Sequence, residues 1–123
     1  MTAAVITDNI MIQTIDASEL ADLMGRDDLG PIDVIDVRDL AEWESGHISG
    51  SRSLVLETLR EDPERHLSHD GVVVFICKKG VRSLAAAKLA ERFGFARVYN
   101  LDGGILEWSR VGFPMVVTTR VAA

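Results

Sequence analysis

A single cysteine, Cys77, lies where a reactive thiol is expected in an α/β protein. It directly follows the apolar run of residues 72–76 and precedes a basic, glycine-containing segment, residues 78–83. A turn of this kind at the start of a helix can surround an anion with main-chain N–H groups, and this favours the thiolate form of a cysteine. Because the thiolate is the nucleophilic form, the segment predicts nucleophilic chemistry at Cys77.

The segment after the cysteine offers positive charge and a permissive main chain. Lys78 and Lys79 are the best candidates for binding the anionic end of a substrate, and Gly80 enters left-handed conformations at low cost. Arg82 can bind that substrate or orient the loop, because its planar fork suits both roles. The predicted substrate-binding set is the whole segment, namely Lys78, Lys79, Gly80, Val81, Arg82 and Ser83.

The rest of the chain is acidic. Its 123 residues include 13 basic and 19 acidic side chains, for a formal net charge of −6. This balance argues against a nucleic-acid partner or an anionic membrane surface, whereas a local basic cluster can focus a small anion onto one site. One cysteine cannot form an intramolecular disulfide, and the N-terminal residues lack a signal-peptide pattern, so we expect a cytoplasmic protein without a membrane partner.

The sequence indicates neither a metal site nor a nucleotide site. The histidines His47, His66 and His69 do not have recognisable ligand spacing with the distant cysteine. The pair of glycines at 103–104 lacks the further glycines and the lysine of phosphate-binding loops. We therefore expect no cofactor.

Strand and helix patterns alternate along the chain. Strands are predicted near residues 11–15, 32–37, 53–55, 72–76 and 97–101, with helical segments at 18–24, 39–44, 57–66, 82–93 and 105–110. This order implies parallel strands joined by right-handed crossovers, hence an α/β fold with a five-stranded, mostly parallel sheet and helices on both faces. We expect an N-terminal extension over residues 1–10, one domain over 11–117 and a C-terminal tail over 118–123.

Four segments, in this order, closely resemble a single-domain rhodanese, a sulfurtransferase. They are Asp36-Val37-Arg38, Gly46-His47-Ile48, the cysteine loop 77–83 and the segment 100–108, and the match spans about residues 12–116. The family implies a flanked parallel sheet and a loop that cradles a cysteine carrying a persulfide sulfur. The chain departs from the family at Ser49 and Ser51, where a proline and an alanine are usual.

The resemblance implies roles for particular residues. Cys77 would take sulfur from thiosulfate or a similar small anionic donor and pass it to a thiol or a protein acceptor. Two basic residues after the cysteine resemble the thiosulfate-using members of the family. Asp36 and Arg38 would form a charge-assisted network that braces nearby loops, and His47 would be a hydrogen-bonded structural histidine.

Two other functions are compatible with the sequence. A non-turnover persulfide carrier or regulatory sulfur-relay module would use the same loop. A cysteine-dependent phosphatase or arsenate reductase is disfavoured, because such phosphatases place five residues between the cysteine and the arginine, whereas four separate Cys77 from Arg82. An intramolecular arsenate-reducing relay would also need a second cysteine.

Overall fold

The computed structural model describes residues 3–7 and 10–118, with side chains over residues 12–118. The strands are β1 (Ala3–Thr7), β2 (Ile10–Ile15), β3 (Ile32–Asp36), β4 (Arg52–Ser53), β5 (Val72–Ile76) and β6 (Val98–Leu101). The helices are α1 (Ala17–Met24), α2 (Leu40–Ser45), α3 (Leu56–Glu61), α4 (Pro63–His66), α5 (Val81–Arg92) and α6 (Gly104–Arg110).

All six strands join one sheet in the order β1-β2-β6-β5-β3-β4. The five strands from β2 to β4 pair in parallel, which confirms the predicted five-stranded parallel arrangement and its α/β class. The sixth strand, β1, pairs antiparallel with β2 from Ala3 opposite Thr14 to Thr7 opposite Ile10. β1 lies in residues 1–10, which the sequence indicated only as an N-terminal extension. The predicted limits of the domain stay a prediction.

Two apolar layers lie on the two faces of the sheet. All five residues of β5 are buried, with alternate side chains pointing to opposite faces. Val73 and Phe75 belong to the layer that α5 covers with small alanines, while Val74 lies in the layer that α1 and α6 cover. Helices therefore cover both faces, as predicted.

Polar residues set the ends of several helices. The Asp16 carboxylate accepts the N–H of Glu19 at 2.8 Å, so Asp16 caps α1. The helical segment predicted over 57–66 is two short helices, because the chain breaks at Asp62 and Pro63 opens α4.

The carboxyl ends of three neighbouring strands, β3, β5 and β6, meet at one edge of the sheet, where open α/β sheets bind ligands. The Val37 N–H extends the β3 ladder by donating to the Ile76 carbonyl at 2.9 Å, directly beside Cys77. Across the part of the chain that the structure describes, none of the helices is long and apolar enough to cross a bilayer.

Candidate active site

The sulfur of Cys77 lies inside a ring of hydrogen-bond donors. The main-chain N–H of Gly80 donates to Sγ at 3.1 Å and that of Ser83 at 3.3 Å. The Ser83 hydroxyl lies 3.2 Å from the same sulfur and can donate to a thiolate. Cys77 is only 1% exposed, so the sulfur lies beneath the loop rather than on the protein surface.

The pKa of the Cys77 thiol reflects two opposing effects. Burial raises it, whereas the Ser83 hydroxyl and the main-chain N–H groups of Ser83, Gly80 and Lys79 lower it. The hydrogen bonds outweigh the burial, and the pKa is lowered from that of an ordinary thiol. The loop therefore favours the anionic, nucleophilic form of the sulfur.

The start of α6 donates hydrogen bonds to the main chain of the cysteine loop. The N–H of Ile105 donates to the Cys77 carbonyl at 2.9 Å, and the N–H of Leu106 donates to the Lys78 carbonyl at 3.1 Å. Gly104 makes this approach possible, because a Cβ there would lie 2.5 Å from both carbonyl oxygens. With φ at +57°, Gly104 also has a backbone conformation that favours glycine.

Gly80 forms the turn that directs the loop into α5. Its φ of +105° is left-handed, and its carbonyl accepts the Leu84 N–H at 3.2 Å in the first turn of the helix. The same carbonyl accepts the side-chain amide of Asn100, on β6, at 3.3 Å. The loop is thus held at Gly80 by a neighbouring strand as well as by its own helix.

The charged side chains of the loop have different surroundings. Lys78 and Lys79 are exposed, and neither forms an ion pair with a described residue, so both remain able to meet an anion. Arg82 instead pairs with Glu42 of α2, through contacts of 2.9 and 3.3 Å. This contact is of the kind expected for orienting the loop, and the role of Arg82 stays a prediction.

A buried ion pair braces the turn after β3. Asp36 is fully buried and accepts hydrogen bonds from Nε and Nη2 of Arg38, at distances from 2.8 to 3.2 Å. Arg38 also donates to the Gly46 carbonyl at 2.7 Å. Since Asp36 pairs with Ile76 across the sheet, this network lies one residue away from Cys77 in register.

His47 is buried beside the turn that Arg38 holds. Its ring stacks on that of Trp43, with centroids 3.7 Å apart, and Nδ1 donates to the Trp43 carbonyl at 2.7 Å. Its main chain forms an isolated bridge with Val116. These contacts suit a structural role, and the role assigned to His47 stays a prediction.

Residues that ligate metals do not converge in the described part of the chain. There, no group of three histidine, cysteine, aspartate or glutamate side chains lies close enough together to hold an ion.

Three residues of this site were not assigned roles from the sequence: Glu42, Asn100 and Gly104. Glu42 gave a local signal only, as the third residue of a capping box with Asp39. Asn100 gave a clearer signal of a special role, since asparagine is uncommon in buried strands. Neither signal shows which part of the chain the side chain meets.

Comparison with known proteins now identifies the family. The rhodanese-like domain model matches residues 16–111, most of the chain. The chain belongs to the rhodanese-like family. This confirms the predicted resemblance.

Several curated relatives have sulfurtransferase names. The chain is 41% identical to the thiosulfate sulfurtransferase GlpE of Ectopseudomonas mendocina over 81 residues, which are 66% of this chain and 72% of that protein. It is 32% identical to a sulfurtransferase of Allochromatium vinosum over 108 residues, 86% of this chain and 96% of that protein. Other relatives are longer, since the chain spans 59% of one and 22% of another.

A solved rhodanese-related protein has the same architecture. The crystal structure of this protein from Thermoplasma volcanium superimposes with a TM-score of 0.74 and is 30% identical. The alignment covers 85% of this chain and 98% of that one. The rhodanese-like fold of the described residues is therefore shared over almost the whole of a solved relative.

Proposed function

We propose that this protein is a sulfurtransferase that moves a sulfane sulfur from thiosulfate, or a similar anionic donor, to a thiophilic acceptor through a persulfide on Cys77. The observation that carries the proposal is the convergence of the Gly80 N–H, the Ser83 N–H and the Ser83 hydroxyl on Sγ of Cys77. The thiosulfate sulfurtransferase name of a relative 41% identical to the chain supports the choice of donor.

In the first step, the Cys77 thiolate attacks the outer sulfur of thiosulfate. A new S–S bond forms on Sγ while the bond to the sulfonate sulfur breaks, and sulfite leaves with the electron pair of that bond. Because the attacking group is already an anion, no general base is required. The donors around Sγ serve the step by raising the fraction of thiolate, although a lower pKa also makes each thiolate a weaker nucleophile.

In the second step, an acceptor such as cyanide or a thiolate attacks the outer sulfur of the persulfide. The S–S bond breaks and Cys77 leaves as a thiolate, so the same donors now stabilise the leaving group. A low pKa at Cys77 therefore assists both the formation of the nucleophile and its later departure. No proton has to be transferred in either step when the acceptor is an anion.

The two exposed lysines supply the affinity for the donor. Lys78 and Lys79 directly follow the cysteine, and no described carboxylate pairs with either one. A doubly charged anion is attracted to these side chains although the chain carries a net charge of −6. We expect the attraction to weaken as the salt concentration rises.

Two other functions, a persulfide carrier and a phosphatase, would give different results in activity assays. A carrier would accept at most one sulfur per chain, whereas an enzyme would release product over many turnovers. For a phosphatase, four residues between Cys77 and Arg82 make a short loop, and the Arg82 guanidinium is already held by Glu42. Hydrolysis of an aryl phosphate faster than sulfur transfer would favour the phosphatase.

The test combines intact mass with turnover. After thiosulfate treatment, the protein should gain the mass of one sulfur atom, and the gain should disappear with dithiothreitol or cyanide. With thiosulfate and cyanide together, thiocyanate should accumulate beyond one equivalent per chain. Cys77→Ser should abolish both signals and should retain the wild-type circular dichroism spectrum. Thiocyanate formation that persists in Cys77→Ser would refute the proposal.

A further inference from the structure

Asn100 is a polar side chain in a position suited to an apolar one. It lies in β6 between the neighbouring strands, paired with Phe75 on β5 and Thr14 on β2, and it is only 5% exposed. Asparagine is unfavourable in strands, and a buried amide is costly unless its hydrogen bonds are made. The stability of the core therefore does not account for this residue.

The hydrogen bonds of Asn100 are incomplete within the described structure. Its Nδ2 donates to the Gly80 carbonyl at 3.3 Å, while its Oδ1 is buried without a partner among the described residues. A leucine side chain has the same branched arrangement of four heavy atoms and would bury neither amide group. What the asparagine adds, and a leucine would not, is the contact with Gly80.

Gly80 is a residue that benefits from such a contact. It has a φ of +105° and lacks a side chain, so its main chain can rotate more freely than that of other residues. Its N–H is one of the donors to Sγ of Cys77, at 3.1 Å. The Gly80 carbonyl belongs to the peptide plane after Gly80 and the N–H to the plane before it. Fixing the carbonyl from β6 holds one of these planes, so fewer rotations about Gly80 remain that change the direction of the N–H.

We propose that Asn100 is a positioning residue, which holds the Gly80 carbonyl so that the Gly80 N–H stays directed at Sγ of Cys77. The residue touches neither the sulfur nor a substrate; it acts through the loop. As a role in sulfur transfer, this rests on the proposed function. The claim that Asn100 directs the Gly80 N–H at Sγ does not depend on the proposed function, and it can be tested without any sulfur donor.

The decisive variant is Asn100→Leu, because it separates reactivity from stability. It removes the contact with Gly80 together with the unpartnered oxygen, so the melting temperature should equal or exceed that of the wild type. The alkylation of Cys77 by iodoacetamide at neutral pH should slow by about two- to tenfold, the range of one neutral hydrogen bond. The midpoint of the alkylation rate against pH should move upward.

A matched control lies on the same strand. Val98→Ala shortens a side chain that is 2% exposed and lies in the apolar layer covered by α5. It removes no hydrogen bond to the loop. It should lower the melting temperature and leave the midpoint of alkylation unchanged. Should Asn100→Leu fail to fold, Asn100→Ser, whose side chain is too short to reach Gly80, supplies the same readout.

The outcomes separate this inference from the proposed function. An alkylation midpoint in Asn100→Leu equal to that of the wild type would overturn the positioning role, even if the wild type transfers sulfur. A raised midpoint in a protein whose wild type forms no thiocyanate would support the positioning role and contradict the proposed function.

Discussion

Glu42 holds Arg82 across 40 residues of sequence, with its two carboxylate oxygens 2.9 and 3.3 Å from the guanidinium. The contact joins the start of α2 to the start of α5, and so to the cysteine loop. A hydrogen bond from Arg82 is the main reason that the pKa of Glu42 is lowered. The guanidinium closest in sequence to Cys77 is thus occupied by a carboxylate of the protein itself.

Glu42→Gln should release Arg82 toward the site. We expect the KM for thiosulfate to fall by about two- to fivefold at low salt, because the site gains one net positive charge beside a dianion. The free energy of unfolding should drop by less than about 1 kcal/mol, since both side chains are partly exposed. Steady-state kinetics at two salt concentrations, with urea unfolding, measure both effects.

Glu57→Gln is the control for this change. It alters the net charge equally and removes an exposed partner of Arg60 on α3. Its KM for thiosulfate should stay at the wild-type value. A KM in Glu42→Gln that is unchanged or higher would contradict the release of Arg82.

Ser83→Ala should make Cys77 a less acidic thiol. The change removes the hydroxyl 3.2 Å from Sγ and leaves the Ser83 N–H in place. The pKa of Cys77 should therefore rise and the rate of iodoacetamide alkylation at neutral pH should fall. An alkylation profile identical to that of the wild type would show that the hydroxyl does not act on the sulfur.

Cys77 should also make stability depend on pH. Its pKa is lowered in the folded protein, because hydrogen bonds from the loop outweigh the effect of burial. Its stabilising contribution is therefore fully present above the pKa of an unfolded cysteine, about 8.5, and is lost as the pH falls through the folded pKa. The free energy of unfolding of the wild type, minus that of Cys77→Ser, should grow as the pH rises from the folded pKa of Cys77 to the pKa of an unfolded cysteine. Urea titrations across this range measure the difference, and a flat or opposite trend would contradict the lowered pKa.

Gly104→Ala should displace the cysteine loop. The new Cβ would lie 2.5 Å from the carbonyl oxygens of Cys77 and Lys78, so either the loop or α6 has to move. Sulfur transfer should fall at least about tenfold, because misplacement of a reacting group by about 1 Å is costly. Gly94→Ala is the control: its φ is also positive, +87°, but nothing lies within 4 Å of the added atom. It should lose about 1–2 kcal/mol of stability and retain full activity.

Arg38→Leu should be strongly destabilising. It would leave the Asp36 carboxylate fully buried without its partner, at a cost of about 3–5 kcal/mol. Arg52→Leu breaks a fork-shaped pair of similar geometry with Asp33, but on the surface, and should cost less than about 1 kcal/mol. Equal losses in urea unfolding would show that burial of the Asp36 pair is unimportant.

Local patterns were sufficient to predict most of the fold. The uninterrupted apolar run at 72–76 is typical of a strand buried on both faces, which β5 is. The segment of β1 includes Ala3 and Ala4, poor strand formers, and its pairing with β2 is a tertiary contact that its own residues do not reveal. The predicted cytoplasmic location stays a prediction.

In the active site, too, the residues that could be predicted are those with a local sequence pattern. The cysteine loop could be found because its residues are contiguous, and Asp36 and Arg38 because they are two apart. Glu42 and Asn100 reach the loop only after β3, β5 and β6 are assembled side by side. Periodicity and capping describe such residues within their own elements and contain no information on the partner.

The strand order makes the surroundings of the thiol depend on contacts between distant parts of the chain. β5 lies between β6, the next strand in the chain, and β3, from which β4 separates it in sequence. Non-local pairing of this kind is slow. Until it is complete, Cys77 is an ordinary free cysteine, mostly protonated at neutral pH. A newly made or partly unfolded chain thus carries a smaller fraction of thiolate at neutral pH than the native protein does.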